Sequence, residues 1–168
     1  MKITEFFEST GGDIYSISLS TENGGLIADD VRKDLEDLGI VVADVELNRI
    51  QGTNPTTTSI LVKTGEVIAN FFLNHPSTII CYYCDFLGML PYVRQNKKKM
   101  SVQEYRHHLF SHLFDRYISQ HHIDNVSLAV LTIEGSAETY YVHVIARNEH
   151  IGHISDINNG LQRDYGKP

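Results

Sequence analysis

Arg106 is the residue whose position in the sequence points most clearly to chemistry. It lies in a predicted helix over residues 101–121, which opens with Ser101 and Glu104 in the spacing of a capping box. On a helical wheel of about 100° per residue, Arg106 falls in the middle of the apolar arc. A charge buried without a partner costs several kcal/mol, so the guanidinium needs a carboxylate or a water-filled pocket.

Asp85 is the predicted partner of Arg106. It lies at the end of a predicted strand over residues 78–86, whose side chains are apolar on both faces. Such a strand is typical of the centre of a sheet that is covered on both sides. A helix packed on this sheet would bring the guanidinium to Asp85. Two interpretations stay open: a structural ion pair, or a pocket that binds an anion or a carboxylate.

Histidines form the second group of candidates. His108 and His112 lie one turn apart on the predicted helix, with Asp115 on the same face. Two imidazoles with a nearby carboxylate can bind a divalent transition metal. The pattern lacks the glutamate of the H-E-x-x-H motif, and a solvated helix face would contain the same residues. We therefore expect no metal or other cofactor, and keep these three residues as the candidate ligands.

His143 is the third candidate for ligand binding. It alternates with Tyr141 and Arg147 on one face of a predicted strand over residues 138–147. This row of side chains could line a binding groove. It is also typical of the solvent-facing side of an antiparallel strand, which is the interpretation that we favour.

The two cysteines, Cys81 and Cys84, have the C-x-x-C spacing of redox and metal sites. They fall within the predicted strand, where residues three apart point to opposite faces and lie about 10 Å apart. A disulfide requires Cα atoms within about 7 Å of each other. The chain has no further cysteine to complete a zinc site. We expect two buried, reduced thiols.

The elements that position these residues alternate along the chain. Strands are predicted over residues 13–20, 40–50, 78–86, 126–134 and 138–147, and helices over 29–38, 59–74, 101–121 and from Asn148 onward. Strands separated by helices can pair in parallel, whereas the closing hairpin must be antiparallel. This order, β-α-β-α-β-α-β-β-α, predicts an α/β or α+β fold with helices packed on a mixed sheet of about five strands. We expect one domain over residues 1–168, with residues 162–168 as a frayed tail.

The chain from Ile79 onward carries an ordered set of features. These are a strand ending at Cys84-Asp85, a helix with Arg106, Phe110 and Phe114, and a hairpin ending at Ile145-Ala146-Arg147-Asn148 before a last helix. This layout resembles a family of small uncharacterised bacterial domains found mostly in Bacteroidetes, which has a tryptophan where this chain has Leu113. Because that family has no assigned activity, the resemblance implies a related fold and no chemistry.

Composition narrows the classes of function. Lysine and arginine number 14 against 21 aspartate and glutamate, a net charge of −7, and the one basic run is Lys97-Lys98-Lys99. This balance argues against nucleic-acid binding, for which a basic surface is typical. No apolar run approaches the roughly 18 residues of a membrane-spanning helix, and the first residues lack the apolar core of a signal peptide. We therefore expect a cytoplasmic protein that binds neither nucleic acid nor membranes.

No Walker loop, G-x-G-x-x-G or G-x-S-x-G motif is present in the sequence. The leading expectation is a non-enzymatic module that associates with an unknown protein partner or with a second copy of itself. The alternative is a domain that binds a small molecule, an anion or a metal through Arg106 and the helix histidines, with enzymatic activity left open.

Overall fold

A six-stranded mixed sheet forms the centre of the structure, a computed structural model that describes residues 1–54, 56–83, 102–137 and 139–167. The strands are β1 (Lys2–Glu8), β2 (Ile14–Ser20), β3 (Val41–Gln51), β4 (Thr78–Tyr83), β5 (Val126–Glu134) and β6 (Thr139–Arg147). Their order is β1-β2-β3-β4-β6-β5; β3 and β4 are parallel, and the other neighbours are antiparallel. The predicted mixed sheet with a C-terminal antiparallel hairpin is confirmed.

Helices cover both faces of this sheet. They are α1 (Asp29–Asp37), α2 (Thr58–Asn74), α3 (Val102–His121) and α4 (Ile154–Tyr165), the last preceded by a 3-10 helix over Asn148–His153. The buried apolar residues of α2, and two half-buried phenylalanines of α3, pack on one face; those of α1 and α4 pack on the other. None of the helices in the described part of the chain is long and apolar enough to cross a bilayer.

The two ends of the described chain differ from the sequence-based expectations. Strand β1 is not predicted, because only Ile3 and Phe7 of its seven residues pack against the core and the rest are exposed. An edge strand of this kind is rich in charge and shows little apolar alternation. At the other end, α4 continues to Tyr165, and the backbone N–H of Lys167 donates to the carbonyl of Glu134 (2.8 Å). Tyr165 and Lys167 both lie in the segment over residues 162–168 that is predicted to be a frayed tail.

A buried ion pair fixes α1 to the sheet. The Arg32 guanidinium donates to the Asp44 carboxylate on β3, and also to the carbonyls of Ile27 (3.2 Å) and Val42 (2.7 Å). The same carboxylate accepts the backbone N–H of Leu26 (3.0 Å). Burial raises the pKa of Asp44 to about 6, against the attraction of Arg32, so the carboxylate is ionised at pH 7.

Gly25 has no side chain, and the Asp44 carboxylate of this ion pair occupies the space where a side chain would lie. A Cβ atom at position 25 would overlap the Asp44 carboxylate, whereas a Cβ at Gly65 in α2 would meet nothing within 4 Å. Gly25→Ala is therefore expected to lower the free energy of unfolding by about 1–3 kcal/mol. Gly65→Ala is expected to raise it by about 0.5–1 kcal/mol, because alanine favours helix. Urea unfolding of the two variants checks this pair, and effects of the same sign would contradict it.

Candidate functional site

A cavity of about 360 Å³ lies at the carboxyl end of β4, between β3 and α3. In open sheets that contain parallel strands, ligands bind in crevices at the carboxyl ends of those strands. The apolar part of the wall consists of Leu26, Val45, Leu47, Leu61, Tyr82, Phe110 and Leu113. The polar part consists of Asp44, which pairs with Arg32, and of Glu46, Asn48, Thr56, Tyr83 and Arg106. The cavity is thus an apolar chamber with a small number of polar groups, as is typical of small-molecule sites.

Arg106 is on the side of α3 that faces the sheet. Its half-buried side chain lines the cavity together with Phe110 and Leu113, which follow at helical spacing. The Phe110 ring packs on Tyr82, with 4.8 Å between the ring centroids. The inward orientation therefore agrees with the helical wheel. Asp85 lies outside the described residues, so its pairing with Arg106 stays a prediction.

His143 is buried beneath α3 rather than exposed on its strand. Its exposed fraction is 0 %, and its ring packs on Phe110, with 4.6 Å between the centroids. Its Nε2 atom lies 3.1 Å from Nδ1 of His107, whose ring stacks on Tyr141 at 4.9 Å. The favoured interpretation of this strand face as solvent-facing is therefore wrong, because α3 covers it. His143 does not line the cavity but contacts Tyr82, which does (6.3 Å between ring centroids).

The two imidazoles form a neutral, hydrogen-bonded pair. Burial lowers the pKa of His143 to about 4, and the proximity of His107 acts in the same direction. Burial and the neighbouring His108 also lower the pKa of His107. At pH 7 one ring N–H therefore donates to the lone pair of the other ring. The hydroxyl of Ser111 lies 3.5 Å from the same Nε2 atom of His143.

Arg147, the last member of the predicted row on β6, stabilises the end of α2. Its guanidinium donates to the carbonyls of Phe72 (2.9 Å), His75 (3.3 Å) and Pro76 (2.8 Å) and lies over the Phe72 ring at 4.3 Å. The last carbonyls of a helix have no intrahelical donor, and Arg147 supplies one. Its contacts are thus those of a helix cap.

The predicted metal ligands lie away from the cavity. His108, His112 and Asp115 are all exposed on the outer side of α3. Within the ranges that the structure describes, no group of three or more histidine, cysteine, aspartate or glutamate side chains could hold a metal ion. Cys81 is a buried free thiol, as predicted, and burial raises its pKa. Cys84 and Lys97-Lys98-Lys99 lie outside the described residues.

Comparison of the chain with models of known families, with curated proteins and with solved structures finds no match. The resemblance to small bacterial domains therefore stays a prediction.

Proposed function

We propose that the protein binds a small carboxylate with an apolar body in the cavity beside Arg106. The observation that carries this proposal is the presence of a half-buried guanidinium in the wall of an otherwise largely apolar cavity of about 360 Å³. The planar guanidinium matches a carboxylate with two parallel hydrogen bonds, and such bonds strengthen away from bulk water. The leucine and aromatic side chains would contact the body of the ligand.

The volume of the cavity limits the size of the ligand. One water molecule takes up about 30 Å³ in the liquid, so the cavity has the volume of about twelve waters. A molecule the size of an amino acid or a phenyl-substituted acid fits this space. A dinucleotide does not, which agrees with the absence of a G-x-G-x-x-G motif from the sequence.

Titration calorimetry with 3-phenylpropanoate tests the proposal, with 3-phenylpropanamide as the uncharged analogue. We expect the acid to bind more tightly than the amide. Arg106→Met should weaken the binding of the acid about 10- to 100-fold, because hydrogen bonds to a charged group contribute about 1.5–3 kcal/mol. Arg116→Met is the matched control, since Arg116 is exposed on the same helix. Equal affinities for acid and amide, or unchanged binding by the Arg106 variant, would contradict the proposal.

A second candidate function, association of two copies of the chain, is favoured by the edge formed by β5. In the described part of the sheet β5 has one neighbour, β6, and Glu134 is its one charged residue. The carbonyls of Thr132 and Glu134 accept hydrogen bonds from Gln162 and Lys167. The edge of β5 before Thr132 is thus the part that could pair with a strand of a second copy. Natural sheets usually protect such an edge with charges or proline.

Light scattering at about 0.1 mM protein, a concentration suited to micromolar self-association, tests this second candidate. We expect a dimer that Val130→Lys converts to a monomer, with Thr132→Lys as a milder change in the occupied half of the strand. A monomeric wild-type protein would rule out stable association along β5.

A further inference from the structure

Helix α3 is the α-helix with the least buried side chains in the described chain. Each of the other α-helices contains buried side chains, such as Leu35 in α1, Phe71 in α2 and Ile157 in α4. Every α3 side chain whose burial is described is half-buried or exposed. Segments with few buried apolar contacts open locally at a lower free-energy cost than the rest of a fold. Each contact between α3 and the sheet therefore contributes a large share of the free energy that keeps α3 packed.

The His107–His143 hydrogen bond is a polar contact between α3 and β6, and the Ser111 hydroxyl on α3 lies 3.5 Å from the same His143 nitrogen. One proton between the two nitrogens, 3.1 Å apart, gives a hydrogen bond. Protonation of both rings would remove the acceptor lone pair between them and place two positive charges at that distance in a site where His143 is fully buried. Such a pair is unfavourable in a low-dielectric interior. Separation of α3 from the sheet would return both rings to water.

The groups around the pair favour this response to acid. On the sheet side, the phenol rings of Tyr82 from β4 and Tyr141 from β6 face the two imidazoles. On α3, the His108 ring lies 4.8 Å from His107 and disfavours protonation of that ring, and Arg106 precedes the pair. Glu104 is the carboxylate that acts on His107, and it favours the protonated ring.

We propose that α3 is an acid-released element, in which protonation of the His107–His143 pair separates the helix from the sheet and opens the cavity. Because α3 contributes Arg106, Phe110 and Leu113 to the cavity wall, its release would also dismantle the site. The inference concerns the contact between α3 and the sheet, and it holds whether or not the cavity binds a carboxylate.

The size of the response follows from proton linkage. The pKa of His143 is lowered to about 4 in the closed state, whereas an imidazole in water has a pKa of about 6.5. The equilibrium constant for opening is then expected to rise roughly 70-fold between pH 7.5 and pH 4.5.

Amide hydrogen exchange of the full chain at pH 7.5 and pH 4.5 tests the proposal, with protection factors corrected for the intrinsic effect of pH. We expect the protection of α3 to fall roughly 70-fold while that of β2 and β3 falls much less. His143→Phe should remove the fall, because phenylalanine packs on Phe110 and Tyr82 without titrating. His112→Gln, exposed on the same helix, should behave as the wild type.

Three results would overturn the inference. The first is constant protection of α3 in the wild type between the two pH values. The second is an equal loss of protection in α3, β2 and β3, which would indicate global unfolding rather than release of one helix. The third is a wild-type response in both His143→Phe and His107→Gln; the second variant keeps the test valid where the first fails to fold.

Discussion

Asp44→Ala is expected to lower the free energy of unfolding by about 3–5 kcal/mol, the usual result of removing one partner of a buried ion pair. The change leaves the Arg32 guanidinium in a site where its exposed fraction is 3 %. Because arginine stays protonated at any pH that preserves the fold, it cannot escape this cost by losing its charge. The N–H of Leu26 also loses its acceptor. Unfolding in urea, followed by circular dichroism, measures the loss.

Two further variants distinguish the cost of leaving the Arg32 charge buried and unpaired from the general effect of removing an aspartate on stability. Asp30→Ala breaks the exposed pair between α1 and Arg163, and should leave stability almost unchanged because solvent screens that pair. The double variant Arg32→Met, Asp44→Leu removes both charges and should be more stable than Asp44→Ala alone. Equal losses in Asp44→Ala and Asp30→Ala would show that Arg32 is not held as a buried charge.

The second large effect concerns the pH dependence of stability. With a pKa of about 4 in the folded protein and about 6.5 in the unfolded chain, His143 takes up its proton first in the unfolded state. Its contribution to stability is therefore complete above pH 6.5 and is lost as the pH falls toward 4, by about 3 kcal/mol in all. His143→Phe should thus gain about 2–3 kcal/mol relative to the wild type between pH 7.5 and pH 4.5.

Asp44 acts in the opposite direction and must be taken into account in this comparison. Because its pKa is raised to about 6, the folded state holds a proton that the unfolded state has released between pH 4 and pH 6. Acidification therefore stabilises the fold through Asp44 while it destabilises the fold through His143. The wild-type curve alone is flattened by this cancellation, so the difference between variant and wild type is the informative quantity. An identical difference at both pH values would contradict the assignment of His143 as a buried neutral histidine.

Most of the fold could be predicted because its elements carry strong local signals. The predicted strand over residues 126–134 is found over the same residues, and the predicted helix over 101–121 is α3, Val102–His121. Apolar periodicity, a capping box and a glycine after a helix depend only on residues that are close in the sequence. They can therefore be recognised without tertiary information. Strand β1 lacks such a signal, because it owes its conformation to pairing with β2.

The site could be predicted only in part, because its geometry depends on how α3 is rotated on the sheet. The wheel correctly placed Arg106 on the inner side. It missed His107, about 100° farther round the helix, although this ring contacts His143. Apolar residues such as Leu109, Phe110, Leu113 and Phe114 surround much of the helix, so they do not define a single inward direction. The burial of His143 and the cap formed by Arg147 are likewise long-range contacts that strand alternation does not reveal.

The most direct test of the proposed ligand site is a methyl NMR titration of the protein with 3-phenylpropanoate. Val45 and Leu47 line the cavity beside Arg106, whereas Val62 and Leu73 line an adjoining apolar groove between α2 and α3, at positions that the cavity does not share. We expect saturable shifts of the Val45 and Leu47 methyl groups that are lost in Arg106→Met, with little change at Val62 and Leu73. Shifts confined to the groove, or none at saturating concentrations of the acid, would contradict the assignment of the cavity as a carboxylate site.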